Sequence, residues 1–114
     1  PELFLKTTKL AWWLGLGKNQ LNGTLPTQLG RLIELAGFLE VDENKLSGPI
    51  PTELGRLTLL SDELALARNQ FSGPIPSELG RLDRLTGLSL EFNPGINGTI
   101  PSELGGLTSL TTNL

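Results

Sequence analysis

Acidic side chains are the groups in this sequence best suited to do chemistry, and they include two adjacent pairs. Asp42 and Glu43 form one pair, and Asp62 and Glu63 form the other. Paired carboxylates can act as general acid and base in glycoside hydrolysis, or they can hold Ca²⁺. The chain has no His and no Cys, which excludes imidazole catalysis, thiolate nucleophiles and Cys/His zinc sites.

The surroundings of these pairs argue against an active site. The pattern described below predicts that both pairs lie on or beside an open sheet surface, with no cleft to exclude water. No glycine-rich phosphate-binding motif is present either. We therefore expect a protein that is not an enzyme and that binds neither a cofactor nor a metal ion.

The length and net charge of the chain limit the classes of partner that it could bind. The chain has 114 residues and a formal net charge of −3, which fits one small domain or a short repeat array. An acidic chain of this kind offers no electrostatic basis for binding nucleic acid. The longest apolar stretch without charge, residues 10–17, is far shorter than the roughly 20 residues that cross a bilayer. We expect no nucleic-acid partner and no membrane insertion of this segment.

A period of 25 residues runs through the sequence. It is marked by Pro26, Pro51, Pro76 and Pro101, and several Gly and Leu positions keep the same step. Such a period predicts a solenoid, in which each unit buries its apolar side against its neighbours. We expect residues 1–114 to form a single array of about four units. Because neither end resembles the polar cap of a terminal repeat, we expect an interior fragment of a longer chain.

Each unit begins with the alternation typical of a strand. In the third unit Leu64 and Leu66 alternate with Ala65 and Ala67, so one face of the strand points inward. Strands one unit apart must stack in parallel, because every unit follows the same circuit. The inward pairs of the four units are Leu14/Leu16, Leu39/Val41, Leu64/Leu66 and Leu88/Leu90.

An Asn follows the second apolar position of every strand by three residues. An amide side chain carries a donor and an acceptor, so it can satisfy backbone groups where the chain turns away from the sheet. We predict that these side chains stack as a buried Asn ladder, with a turn-favouring surface Asn as the alternative. The ladder residues are Asn19, Asn44, Asn69 and Asn93.

Two further motifs complete the unit. A Gly-x-Ile/Leu-Pro segment predicts a tight bend at Gly and an extended backbone towards Pro. A Pro-Ser/Thr-x-Leu-Gly segment follows, where Pro suits the first helical position and Gly suits the exit. The segment is too short for a full α-helix, so it predicts a 3₁₀ turn.

The combined pattern, LxxLxLxxNxLxGxIPxxLGxLxxL, resembles the plant-type leucine-rich repeat of receptor-like kinase ectodomains, receptor-like proteins, polygalacturonase-inhibiting proteins and related algal proteins. The best match is LTGLSLEFNPGINGTIPSELGGLTSL, residues 85–110, and the resemblance covers about residues 10–114. It implies an α/β solenoid: a right-handed coil with short parallel strands on the concave face and 3₁₀ or short helical turns on the convex side. It also implies a non-catalytic recognition or scaffold module.

Two features depart from that family. Its units usually have 24 residues, whereas these have 25, and the paired Cys that flank such ectodomains are missing. The resemblance implies an extracellular or cell-surface location, although the first ten residues do not form a signal peptide.

The outward positions of the strands form the surface offered to a partner. They are mostly acidic and are bordered by aromatic residues, which are the usual anchors of recognition sites. We expect another protein or peptide as partner, with basic chemistry favoured and a glycan as a further option. The candidate residues are Trp13, Lys18, Phe38, Glu40, Asp42, Glu43, Glu63, Arg68, Glu91 and Phe92. The alternative is a solenoid spacer or accessory subunit with no ligand of its own.

Asn22 and Asn97 each begin an Asn-Gly-Thr sequon, so both are candidates for N-glycosylation. They are three units apart and therefore lie on the same side of the solenoid. The alternative is a simple Asn-Gly bend, because Ser47 and Ser72 hold the same phase in the middle units. A flat grid of Thr would suggest ice binding, but the Thr residues of this chain form no full array.

Overall fold

Two parallel β-sheets and a row of 3₁₀ turns build the fold. The structure, a computed structural model, describes residues 12–111, and the two ends of the predicted array lie outside the described residues. In chain order the elements are β1 (Trp13–Gly15), β2 (Asn22–Thr24), η1 (Thr27–Arg31), β3 (Phe38–Glu40), β4 (Lys45–Pro49), η2 (Thr52–Arg56), β5 (Glu63–Ala65), β6 (Gln70–Pro74), η3 (Ser77–Arg81), β7 (Gly87–Ser89), β8 (Gly95–Asn97) and η4 (Ser102–Gly106). Each coil thus gives one strand to each sheet and then a 3₁₀ turn.

The inner sheet consists of β1, β3, β5 and β7, in that order and all parallel. Leu14, Leu39, Leu64 and Leu88 stand in register at its centre. The last three of them are buried, and Leu14 packs against the same core. The predicted parallel strands with inward Leu side chains are therefore confirmed.

The lateral sheet consists of β2, β4, β6 and β8, again in order and all parallel. One Gly in or directly after each lateral strand adopts a φ angle of +76° to +81°, which supplies the predicted bend. The sequence predicted an extended backbone here but not a second sheet. Stacking of the coils is what brings these extended segments to hydrogen-bonding distance.

The 3₁₀ turns occur in all four coils, as predicted, but their Pro and Gly play other parts than expected. Pro51 precedes η2 as its N-cap, with an extended backbone, and Gly55 lies inside the turn. A Cβ on Gly55 would stand 2.5 Å from the Glu78 carbonyl oxygen of the next coil. Gly is therefore required by the close approach of two coils, not by the exit of a helix.

The core fills the space between the two sheets and the 3₁₀ turns. Leu32, Leu57 and Leu82 follow the turns and are fully buried. The fourth unit changes its spacing without disturbing this core, since Leu64 pairs with Leu88 directly. No helix among the described residues is long and apolar enough to span a membrane.

Candidate partner-binding face

Buried Asn side chains hold the ends of the inner strands. The Asn69 amide nitrogen donates to the Val41 carbonyl of the preceding coil at 3.0 Å and also to Leu66 and Ala67 of its own coil. Its oxygen accepts from the backbone N–H of Leu46 at 3.0 Å. One side chain thus joins two coils and satisfies backbone groups that leave the sheet.

Neighbouring coils repeat this pattern. Asn44 donates to Leu16 at 2.9 Å, and Asn93 donates to Leu66 at 3.0 Å, so each reaches the coil before it. Asn44, Asn69 and Asn93 are all buried. Among the described residues, no buried side-chain nitrogen or oxygen lacks a hydrogen-bond partner.

Asn19 differs from the prediction of a ladder buried throughout. It is exposed, and its amide donates to Leu16 and Gly17 of its own coil, both at 3.0 Å. Each buried ladder residue is covered by the coil on its N-terminal side. Asn19 belongs to the first coil of the described part of the chain, where no described coil takes that place.

The residue before each ladder Asn points outward. These four residues adopt left-handed φ angles of 55° to 59°, although none of them is Gly. In the middle coils the Glu43 N–H donates to the Ala67 carbonyl, and the Asn44 N–H donates to Arg68. The bend that turns Asn inward therefore turns its predecessor out to the rim. The four rim residues are Lys18, Glu43, Arg68 and Phe92.

The exposed side of the inner sheet carries an open concavity of about 510 Å³, which we call the inner-sheet hollow. Eight of the ten predicted partner-binding residues line it. They are Trp13, Lys18, Glu40, Asp42, Glu43, Glu63, Arg68 and Glu91. The topology thus brings side chains from all four coils to one surface.

Negative charge prevails in the inner-sheet hollow. Its lining holds five carboxylates and two cationic side chains, Lys18 and Arg68. The carboxylates come from three successive coils, so their fields add over the whole surface instead of cancelling locally.

Small residues form the floor of the hollow and let neighbouring side chains lie across it. A Cβ on Gly15 would fall 2.6 Å from the Trp13 ring, so the indole covers Gly15. The Trp13 ring nitrogen donates to a Glu40 carboxylate oxygen at 2.9 Å. Asp42 covers Gly17 in the same way. Trp13, Glu40 and Asp42 are thereby held at one end of the hollow.

Phe38 and Phe92 are not part of the lining. Phe38 is half-buried and stands in register with Trp13 on the neighbouring strand. Phe92 is exposed, and the Arg68 guanidinium lies 4.3 Å from the centre of its ring. This cation–π contact fixes a cationic group at the edge of the hollow.

Comparison with known proteins places this geometry in a family. The family model described as Leucine Rich Repeat matches residues 62–82. The plant peptide hormone receptor RGFR1, solved in complex with RGF2, superposes with a TM-score of 0.80 at 36% sequence identity over 95% of this chain. The Arabidopsis receptor kinase HAESA, in complex with the peptide hormone IDA and the co-receptor SERK1, gives 0.79 at 43% identity over 85%. The chain is a leucine-rich repeat solenoid of the plant type.

A third neighbour of this leucine-rich repeat chain is a plant ice-binding protein, with a TM-score of 0.71 and 34% identity over 85% of the chain. This chain spans 18% of the solved RGFR1 chain, 16% of HAESA and 30% of the ice-binding protein. A search of curated protein sequences finds no match.

Sequence reasoning left out part of the leucine-rich repeat face. Ser89, Ala65 and Ala67 line the hollow, yet they were not among the candidates, which were chosen for charge or aromaticity. Their outward phase in the strand was the available signal. Within residues 12–111, no three Asp or Glu side chains gather in a way that could hold a metal ion.

Proposed function

We propose that this leucine-rich repeat segment is a recognition module that binds a basic peptide or a basic protein segment in the inner-sheet hollow. The observation that carries the proposal is the gathering of five carboxylates from three coils over a floor of small residues. Both features are needed, because the carboxylates attract a basic partner and the small residues of the floor leave room for its side chains.

The geometry suits a long cationic side chain. Ala65 and Ala67 leave space above the sheet, so a Lys or Arg of the partner can pass between the surrounding carboxylates. An Arg guanidinium can engage a carboxylate with two parallel hydrogen bonds, which adds orientation to the attraction. The carboxylates Glu40, Asp42 and Glu43 lie within four residues at the end of β3 and make the densest part of this surface.

The structural neighbours support a protein or peptide as partner. HAESA is solved with a peptide hormone and a co-receptor, and RGFR1 is described as a peptide hormone receptor. Both are receptor proteins, which supports a cell-surface or extracellular location for this chain too. The basic character of the ligand rests on the charges of this chain alone.

A selection experiment tests the proposal. A random peptide display library is selected on the wild-type chain, and the affinities of selected peptides are compared with those for Glu40→Lys/Asp42→Lys/Glu43→Lys. We expect Lys- and Arg-rich peptides whose binding weakens with salt and falls at least about tenfold in the variant. The reversed charges Arg31→Glu/Arg56→Glu/Arg81→Glu, on the exposed side of the 3₁₀ turns, serve as the control and should leave binding unchanged.

Two results would count against the proposal. Selected peptides that bind the acidic-face variant as tightly as the wild type would remove this face as the binding surface. A selection that yields no specific peptide at all would favour the spacer, a solenoid with no ligand of its own.

Ice binding is not favoured, despite the ice-binding neighbour. A regular array would need the same hydroxyl in each coil, but the phase of Thr24 and Thr99 is occupied by Pro49 and Pro74 in the middle coils. Thermal hysteresis of the purified chain would nevertheless be a direct contradiction of this conclusion.

A further inference from the structure

The two Asn-Gly-Thr sequons lie on the lateral sheet, away from the inner-sheet hollow. Asn22 is in β2 and Asn97 is in β8, the first and last strands of that sheet among the described residues. Both Asn side chains are exposed, and so are the Thr residues two positions later, Thr24 and Thr99. The complete recognition unit of each sequon is therefore at the surface.

The residues at the Asn and Thr positions of the sequon differ together from coil to coil. Where the first and fourth coils have Asn and Thr, the second coil has Ser47 and Pro49, and the third has Ser72 and Pro74. A bend at the central Gly does not require this linkage, since all four Gly residues adopt nearly the same φ, between +76° and +81°. Acceptance of a glycan does require Asn and a hydroxyl residue in the same coil.

Their surroundings separate these two Asn residues from the ladder. The side-chain amides of Asn44 and Asn69 donate hydrogen bonds to backbone carbonyls inside the solenoid. The side chains of Asn22 and Asn97 make no hydrogen bond among residues 12–111. A bulky group on their amide nitrogen would therefore break no contact of the described fold.

We propose that Asn22 and Asn97 are N-glycosylated and that their glycans shield the lateral sheet while the inner-sheet hollow stays open. The inference rests on the proposed extracellular location, but not on the identity of any ligand. Three strand steps of about 5 Å separate β2 from β8, and the register shift between successive lateral strands adds to the distance between the two acceptors. That spacing lets them cover the two strands between them.

The modification is a group transfer from a lipid diphosphate-linked oligosaccharide. The amide nitrogen of Asn forms a bond to the anomeric carbon of the sugar, while the bond from that carbon to the diphosphate oxygen breaks. The lipid diphosphate leaves with the bonding electrons, and the transferase takes one proton from the amide nitrogen. No oxidant or reductant is needed.

Intact mass of the secreted chain tests the proposal. The 114-residue chain is expressed with a secretion leader in a eukaryotic host, and the folded monomer is weighed before and after enzymatic removal of N-glycans. We expect two glycans on the wild type, one on Thr24→Val or Thr99→Val, and none when both changes are combined. Thr24→Ser and Thr99→Ser, which keep the hydroxyl, should retain both glycans.

A gain-of-site variant provides the positive control. Ser47→Asn/Pro49→Thr builds the same sequon at the same phase of the second coil, so a third glycan is expected. A wild-type mass equal to the bare polypeptide would overturn the proposal, and so would glycans found only on misfolded, retained chains. Loss of peptide binding on glycosylation would overturn the shielding arrangement, whereas a glycosylated chain without any ligand would contradict the proposed function alone.

Discussion

The same strands carry both sides of the inner sheet, but residue type repeats from coil to coil on the buried side and varies on the outward side. On the buried side, Leu39, Leu64 and Leu88 repeat one residue type at one phase. On the outward side, the residues just before them are Phe38, Glu63 and Gly87, which differ in type and are half-buried or buried. A core position must fit its neighbours in the coils above and below, whereas an outward position is not enclosed by the core.

This difference separates what the fold needs from what is free to serve recognition. The ladder and the Leu positions repeat because each coil closes the core of the next. The lining of the inner-sheet hollow varies from coil to coil, so it can present a particular distribution of charge. Substitutions on the two sides should therefore affect different properties, stability on one side and binding on the other.

The largest effect is expected in the ladder. Asn69→Leu removes the amide that joins two coils and leaves the N–H of Leu46 and the carbonyl of Val41 without their side-chain partner. We expect a loss of about 3 kcal/mol or more in the free energy of unfolding, measured by urea denaturation. Asn19→Leu, at an exposed and locally bonded position, is the matched control and should change stability by less than about 0.5 kcal/mol. Equal effects of the two would contradict the role given to the buried ladder.

A smaller effect is expected where two 3₁₀ turns meet. Gly55→Ala places a methyl group against the backbone of Glu78, which cannot move without shifting the next coil. We expect a loss of about 1–3 kcal/mol. Gly105→Ala, where nothing lies within 4 Å of the new methyl group, should be neutral within about 0.5 kcal/mol. Thermal unfolding of both variants checks the comparison, and an equally large loss in Gly105→Ala would point to backbone propensity instead of coil contact.

The smallest effect is expected on the exposed side. A double-mutant cycle of Arg68→Ala and Phe92→Ala should give a coupling of about 0.5–1 kcal/mol from the cation–π contact. A coupling of several kcal/mol would mean that the exposed side contributes to the fold as the buried side does. Denaturant midpoints of the two single variants and the double variant supply the numbers.

Much of the fold could be predicted from the sequence because the same residue types recur at the same positions of four units. The phases of Leu64, Asn69 and Pro76 gave the strand, the ladder and the 3₁₀ turn. The lateral sheet was not predicted, because its strands contain Gly and Pro and show little alternation of apolar and polar residues. The role of Gly55 was misread for a related reason: the clash that demands Gly comes from another coil, 23 residues along the chain at Glu78.

The candidate site could be predicted only in outline. Strand alternation identified the outward residues, and eight of them do line the inner-sheet hollow. It could not place Phe38 and Phe92 outside the lining, because alternation does not reveal the pairing of Phe38 with Trp13 on the next strand or the contact of Phe92 with Arg68. It also passed over Ala65 and Ala67, whose contribution is the space that they leave open.

By itself the sequence determined the period, the inward faces and the net charge of this leucine-rich repeat chain, because those properties depend on residue type and spacing within one unit. Only the tertiary structure decided what meets across coils: the hydrogen bond from the Trp13 indole to Glu40, the burial of Asn69 but not Asn19, and the pairing of the lateral strands. The physical reason is that a coil of a solenoid has no core of its own. Its inward side chains become enclosed only when a neighbouring coil stacks beside it.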